Sequence, residues 1–255
     1  DKTGTLTRNE MTVQSVWAGG RIFGVTGVGY EPTGTFTLDG EAVDPARHPE
    51  LRRALACGAL CNAAQLAREG DGWRVVGDPT EGAILAAAAK AGIWKERLEE
   101  EEPFRDEIPF DPGRKKMTVL REGRAGATAY VKGAPDTLLQ DCAFIEAGGA
   151  VRPLAPADRD AVLGANAALA DRAMRVLGVA YREFGAIPEG GDPGRFEEGL
   201  TFAGLLAMID PPREEARAAV AECARSGIKT VMITGDHKNT AVAVARALGF
   251  FHEGS

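Results

Sequence analysis

The chain has 255 residues, 44% of them apolar and 26% charged, with a formal net charge of −7. That length and balance support one large domain or two smaller ones with real cores, and they exclude wholesale disorder. The acidic surplus offers no basic face to nucleic acid or anionic lipid, and no apolar run reaches the roughly 18–20 residues that cross a bilayer.

The first seven residues, Asp1-Lys2-Thr3-Gly4-Thr5-Leu6-Thr7, set an aspartate beside a lysine and a glycine turn rich in hydroxyls. A carboxylate so placed is a candidate nucleophile for phosphoryl transfer, passing through an acyl phosphate. Thr3-Gly4-Thr5 can aim N–H and hydroxyl groups at phosphate oxygens. The plain alternative is a polar, turn-prone tail.

Residues 11–17 alternate as a strand, and the Gly/Thr-rich stretch from Gly19 to Gly40 reads as short strands and hairpins. Helical spacing over 49–67 puts Leu51, Leu55 and Leu60 on one side. Cys57 and Cys61 lie on that face, one turn apart, with no further metal ligands nearby. With Cys142 and Cys223 they make too few thiols for a disulfide scaffold and read as small buried hydrophobes in a reducing compartment.

Gly77-Asp78-Pro79-Thr80-Glu81 opens the next helix, with Asp78 as N-cap, Pro79 in the first turn and Glu81 closing a capping box. The longest apolar stretch, Gly82 through Ala89, stops at Lys90. In Phe110-Asp111-Pro112-Gly113-Arg114-Lys115-Lys116-Met117-Thr118-Val119 the ring of Phe110 can stack on a base. Arg114, Lys115 and Lys116 supply positive charge; the bland reading is a buried phenylalanine beside a solvated basic turn. Thr128 to Asp136 reads as a strand, a glycine turn and a helix start. Lys132 ends the strand, and Gly133 leaves the backbone bare for a flat ring.

A helix over 157–173 leads to a strand, Arg175 to Tyr181. The apolar strand 202–209 runs into Asp210-Pro211-Pro212-Arg213, a stiff joint. An amphipathic helix, 214–226, precedes a buried-type strand, Ile228 to Ile233, with Thr234-Gly235-Asp236 at its carboxyl end and a helix over 240–248. Strand, polar loop, helix is where α/β folds bind anions. No Gly-x-x-x-x-Gly-Lys-Ser/Thr occurs, which excludes a P-loop NTPase.

In this order DKTGTLT, GDPTEGA, FDPGRKKMTV, KGAPD, DPPR and MITGD resemble the signatures of P-type ATPases, ion pumps that pass through an aspartyl-phosphate, with a lean toward the calcium-pump-like type II group. The resemblance covers nearly the whole chain. It implies an α/β fold: an incomplete haloacid-dehalogenase-like (Rossmann-like) phosphorylation domain, residues 1–9 and 210–255, and an inserted α+β nucleotide-binding domain on an antiparallel sheet, residues 10–209. It implies Asp1, Lys2, Thr3, Thr234, Gly235 and Asp236 as the phosphoryl-transfer set, with Mg²⁺ on Asp1 and Thr3. ATP would be held by Glu81 (accepting from the adenine amino group), Phe110, Lys115, Lys132, Gly133, Arg175 and Asp210. Arg172 is a neighbouring alternative to Arg175 toward the phosphates. Where calcium-pump relatives often carry an arginine two places after the phenylalanine, this chain has Pro112, so that contact is lost or made by Arg114.

A pump needs a membrane part, so the resemblance makes this chain a piece of a larger protein at the cytoplasmic face of a membrane. Its partners would be ATP and the transmembrane and actuator domains of the same polypeptide; nucleic acid and direct membrane insertion are not expected. Of the rival readings, a soluble haloacid-dehalogenase-type phosphatase needs a general acid/base two residues after its nucleophile, where this chain has Thr3. The other rival is a nucleotide-binding module without turnover.

Overall fold

The computed structural model describes residues 5–7, 10–70, 72–124, 126–186, 194–233 and 238–249. The strands are β1 (Thr12–Ala18), β2 (Arg21–Val25), β3 (Phe36–Leu38), β4 (Glu41–Val43), β5 (Gln65–Glu69), β6 (Gly72–Val76), β7 (Phe104–Asp111), β8 (Lys116–Gly123), β9 (Gly126–Gly133), β10 (Cys142–Ala147), β11 (Ala150–Pro153), β12 (Arg175–Phe184) and β13 (Leu200–Ile209). The helices are α1 (Pro49–Leu60), α2 (Pro79–Lys90), α3 (Lys95–Glu101), α4 (Pro135–Asp141), α5 (Pro156–Asp171), α6 (Gly194–Glu197), α7 (Glu214–Arg225) and α8 (Lys238–Leu248).

Among the described residues eleven strands form one sheet, with the path β4-β3-β2-β1-β13-β12-β9-β8-β7. Every neighbouring pair on that path is antiparallel. β13 is its axis. β12 runs along one edge of it; on the other, β1 pairs with its second half and β10, in parallel, with its first. This matches the expected α+β architecture on an antiparallel sheet.

Helices cover both faces. On one, α1 and α2 pack Leu51, Leu55, Leu60 and Ile84 against Val16, Val179, Leu206 and Met208. On the other, Leu138 of α4 and Val162 and Leu169 of α5 meet Trp17, Val131, Phe202 and Leu205. Alternate residues of β13 thus feed opposite cores, which is why this strand, Thr201 aside, carries no polar side chain. α1 comes very close to it: a Cβ at Gly204 would lie 2.5 Å from the carbonyl oxygen of Trp17 and 2.9 Å from the Cβ of Ala54.

Two expectations change. The helix read over 49–67 ends at Leu60, and residues 65–69 form β5, hairpinned with β6. Local spacing is overridden by distant partners. The Glu81 carboxylate accepts from the backbone N–H groups of Ala63 and Ala64, both at 3.1 Å. Lys95 Nζ donates to the carbonyls of Asn62 and Ala64, at 2.7 and 2.9 Å. The strand expected over 228–233 does not form: among the described residues none pairs with that segment, and Ile228, Val231 and Ile233 stand exposed. Cys57, Cys61 and Cys142 are buried as expected, whereas Cys223 is half-buried; burial pushes the Cys61 thiol up to about 11, which keeps it inert.

Candidate functional site

Alternating strand direction brings separate stretches of sequence to one end of the sheet. β9 ends at Gly133 where its neighbours begin: Gly133 pairs with Lys116 of β8 and with Gly178 of β12. β7 returns there at Phe110. The first turn of α2 closes the site from one face. The result is a cleft of about 660 Å³ lined by Asp78, Thr80, Glu81, Phe110, Lys115, Met117, Lys132, Gly133, Ala134, Arg175, Val176 and Leu177.

Glu81 and Lys132 form its inner wall. Lys132 is only 6% exposed, and its Nζ lies 2.8 Å from Glu81 Oε1. Lys132 is thus a buried side chain of the cleft wall, not a surface lysine. Glu81 Oε2 takes the N–H groups of Ala63 and Ala64, so the carboxylate uses three of its roughly four acceptor positions inside the protein and keeps one at Oε1. The expected capping box is half made: Asp78 Oδ1 accepts from Thr80 N and Glu81 N, at 2.8 and 3.2 Å, while the Glu81 side chain turns away to Lys132. Asp78 thus occupies the N–H groups that could otherwise have met an anion there.

The outer wall is apolar and cationic. Phe110 is 60% exposed, so it is not the buried phenylalanine of the bland reading. Met117, Val176 and Leu177 supply the rest of the apolar lining. Arg175 Nη1 donates to Thr80 Oγ1 at 3.0 Å, placing the guanidinium at the rim; Arg172 does not line the cleft.

The basic run divides. Of Arg114, Lys115 and Lys116, only Lys115 lines the cleft. Arg114 lies 2.5 Å from Glu197 and 2.8 Å from the carbonyl of Pro109, so it does not stand in for the arginine absent at Pro112. Lys116 is buried between Asp141, at 2.6 Å, and Glu197, at 3.2 Å. Burial pulls its ammonium down, but the hydrogen bonds to those two carboxylates prevail and hold it above the ordinary lysine value. Lys115 itself has φ +54°, a left-handed conformation unusual for a side-chain-bearing residue.

Gly133 lines the cleft and is also needed for a reason that the sequence did not suggest. A Cβ there would lie 2.5 Å from the carbonyl oxygen of Lys115 and 2.6 Å from the Cβ of Lys116. The bare backbone admits the Lys115 turn, whose carbonyl also accepts from Ala134 N at 3.0 Å.

Asp210 does not reach the cleft. It is buried at the joint, where Thr7 Oγ1 donates to its Oδ2 at 2.5 Å and Oδ1 has no partner among the described residues. Arg213 braces the same joint through Nε to the Thr7 carbonyl, at 3.0 Å. Asp1, Lys2, Thr3, Thr234, Gly235 and Asp236 lie outside the described residues. Among the described residues there is no group of three or more His, Cys, Asp or Glu side chains that could hold a metal.

Sequence reading did not single out Thr80, Met117, Val176 or Leu177 as lining residues. The signal was adjacency, since each lies within two positions of a residue that it did name. Chemically the cleft can take a flat ring with an anionic tail: an exposed aromatic face and apolar floor for the one, Lys115 and Arg175 for the other.

The family model described as P-type ATPase, cytoplasmic domain N, matches residues 50–215. The chain is 45% identical over 261 residues to the "Cation-transporting ATPase pma1" of Synechocystis sp., covering 100% of this chain and 28% of that protein. It is 44% identical over 254 residues to the "Calcium-transporting ATPase" of Bacillus subtilis, covering 97% and 28%. Against the "Calcium-transporting ATPase type 2C member 1" of Bos taurus it is 35% identical over 260 residues, covering 100% and 25%. The chain thus spans about a quarter of the length of these relatives. No helix among the described residues is long and apolar enough to cross a membrane.

Proposed function

The chain belongs to the P-type ATPases, and from that premise we propose that its cleft binds ATP for phosphoryl transfer to Asp1 in a longer, cation-transporting protein. The observation that carries this is convergence. Glu81, Phe110, Lys115, Lys132, Gly133 and Arg175 come from four separate segments, and all of them line one cleft.

In this reading the Phe110 ring takes a face of the base, and the remaining acceptor position on Glu81 Oε1 faces the adenine amino group. Lys115 and Arg175 meet the phosphates. Lys132, neutralised by Glu81, borders the base and adds little net charge there. The joint at Asp210–Arg213 lets residues 10–209 bow over a phosphorylation domain of haloacid-dehalogenase type formed by residues 1–9 and 210–255. A carboxylate oxygen of Asp1 attacks the γ-phosphorus in line; the bond from phosphorus to the bridging β-phosphate oxygen breaks, and ADP leaves. Lys2, Thr234, Gly235 and Asp236 belong to the phosphoryl site. Mg²⁺, which offsets phosphate charge when bound, has Asp1 and Thr3 as its proposed protein ligands.

With Thr3 in place of a second aspartate, the acyl phosphate has no built-in hydrolytic base, which favours a pump over a soluble phosphatase. The longer protein would carry transmembrane and actuator domains, would hold this region at the cytoplasmic face of a membrane, and would transport a cation, calcium by analogy with the names of its relatives.

Calorimetric titration with ATP tests the cleft. The chain binds with modest affinity, and Phe110→Ala weakens binding by about tenfold, within the ~1–3 kcal/mol of a base–aromatic stack, at unchanged Tm. Equal affinities for the two proteins defeat the assignment. Incubation with labelled ATP and Mg²⁺ leaves no acid-stable, hydroxylamine-sensitive label on Asp1 of this chain alone; recovering one overturns that expectation.

A further inference from the structure

We infer that Glu197 is a positioning residue for the nucleotide cleft, acting through Lys115; the inference rests on the ATP-binding reading above. Glu197 is remote from the basic turn in sequence and buried beneath it. Its Oε1 lies 2.5 Å from Arg114 Nη1 and 2.6 Å from Thr118 Oγ1, and its Oε2 lies 3.2 Å from Lys116 Nζ. One carboxylate therefore grips the residues on either side of Lys115. Lys115 is left between them with φ +54°, a conformation that a side-chain-bearing residue holds only when its surroundings impose it.

The mount is rigid. Phe196, next to Glu197 on α6, is buried with Leu120 and Ala129, and its ring meets that of Phe184 edge-on at 5.9 Å. Asp141 completes the cluster at Lys116, so one half-buried cation, Arg114, and one buried cation, Lys116, face two anions. Asp111 Oδ1 fixes the start of the turn by accepting from Gly113 N and Arg114 N, at 2.9 and 2.8 Å. The outcome is a division of three consecutive positive charges: Arg114 and Lys116 are turned inward and neutralised, and Lys115 alone is presented to the cleft. A nucleotide phosphate then meets one placed ammonium group in place of three mobile ones, which lowers the ordering cost of binding.

The test compares ATP with adenosine, titrated calorimetrically into the 255-residue chain and into Glu197→Gln, Lys115→Ala and the double variant, each checked for native near-ultraviolet circular dichroism. Glu197→Gln is expected to weaken ATP about tenfold and adenosine by less than about threefold. In the Lys115→Ala background it should add less than about twofold, because the two act as one unit. A merely structural role would weaken both ligands alike and would persist without Lys115; either result overturns the inference, as does unchanged ATP affinity. Thr118→Val, which removes one donor from the same carboxylate, covers the case in which Glu197→Gln does not fold. It should shift the ATP-to-adenosine ratio in the same direction by a smaller factor, and an unchanged ratio overturns the inference. If the unsubstituted chain binds neither ligand, the ATP-binding reading falls with it, whereas binding that ignores Glu197 defeats the positioning role alone.

Discussion

β13 and the segment 228–233 are similarly apolar in sequence, and they fare oppositely. In β13, Leu200, Phe202, Leu205, Leu206, Ala207 and Met208 are fully buried, with strands on both edges and helices on both faces. Ile228, Val231 and Ile233 are 59%, 73% and 74% exposed. Among the described side chains of the helices on either side of that segment, α7 and α8, Val220, Val244, Ala245 and Leu248 are the buried ones. Apolar patterning marks a place for a strand, but ladder partners and a covering layer decide whether one forms. On the proposed reading, the neighbours of 228–233 belong to the phosphorylation domain of the longer polypeptide.

The sharpest way to break this contrast is truncation on each side of it. Leu206→Ala removes a fully buried side chain packed by α1 and β1, and it should cost ~2–5 kcal/mol in urea unfolding. Val231→Ala should fall within about 0.5 kcal/mol of zero. A comparable loss at Val231 would mean that the segment is covered in solution and that the two regions do not differ.

The joint between the regions comes next. Thr7 Oγ1 is the donor to Asp210 Oδ2, and Oδ1 is already without a partner among the described residues. Thr7→Val leaves both oxygens of a buried carboxylate unpaired and should cost ~1–3 kcal/mol. Asp210→Asn, which removes the charge while keeping the shape, should cost less than that. If Asp210→Asn proves the more damaging, the orphaned oxygen has a partner in solution, and the joint is tighter than the contacts imply.

How much of this was legible from sequence follows the same division between local and distant causes. The strand read at 175–181 lies within β12, and the strand at 202–209 within β13. The helix start at Asp78 was readable because Pro79 and a capping carboxylate are local signals. The end of α1 was not, because Glu81 and Lys95 stop it from elsewhere in the chain. At the cleft, Phe110 and Lys132 could be named from chemistry and neighbouring residues. That Lys116 and Arg114 turn inward could not, because it depends on a carboxylate at Glu197 brought in by the tertiary fold. Gly133 was named for its bare backbone at the cleft; the approach of the Lys115 carbonyl, which also requires it, was not readable.

The smallest effect asks whether belonging to the buried region confers anything on a surface contact. Asp158, near the start of α5, accepts from Arg152 Nη1 and Nη2 at 2.6 and 2.8 Å and from Ala155 N at 2.9 Å. The Arg152 guanidinium holds its carboxyl down to about 2, with burial opposing weakly and the Ala155 N–H reinforcing. Because the folded value lies below the unfolded one, the contribution is present above the ordinary aspartate range near pH 4 and is lost as pH falls through about 2. The pair stands in solvent, which screens it. Asp158→Asn should therefore move the urea midpoint by about 0.2 M or less at pH 7, and by nothing measurable at pH 2. Arg225 and Glu222 make a comparable exposed pair on α7, across the divide, and Glu222→Gln should be as small. If Asp158→Asn instead shifts the midpoint several times further than Glu222→Gln, the sheet region stabilises its surface contacts as well as its core, and the contrast extends beyond burial.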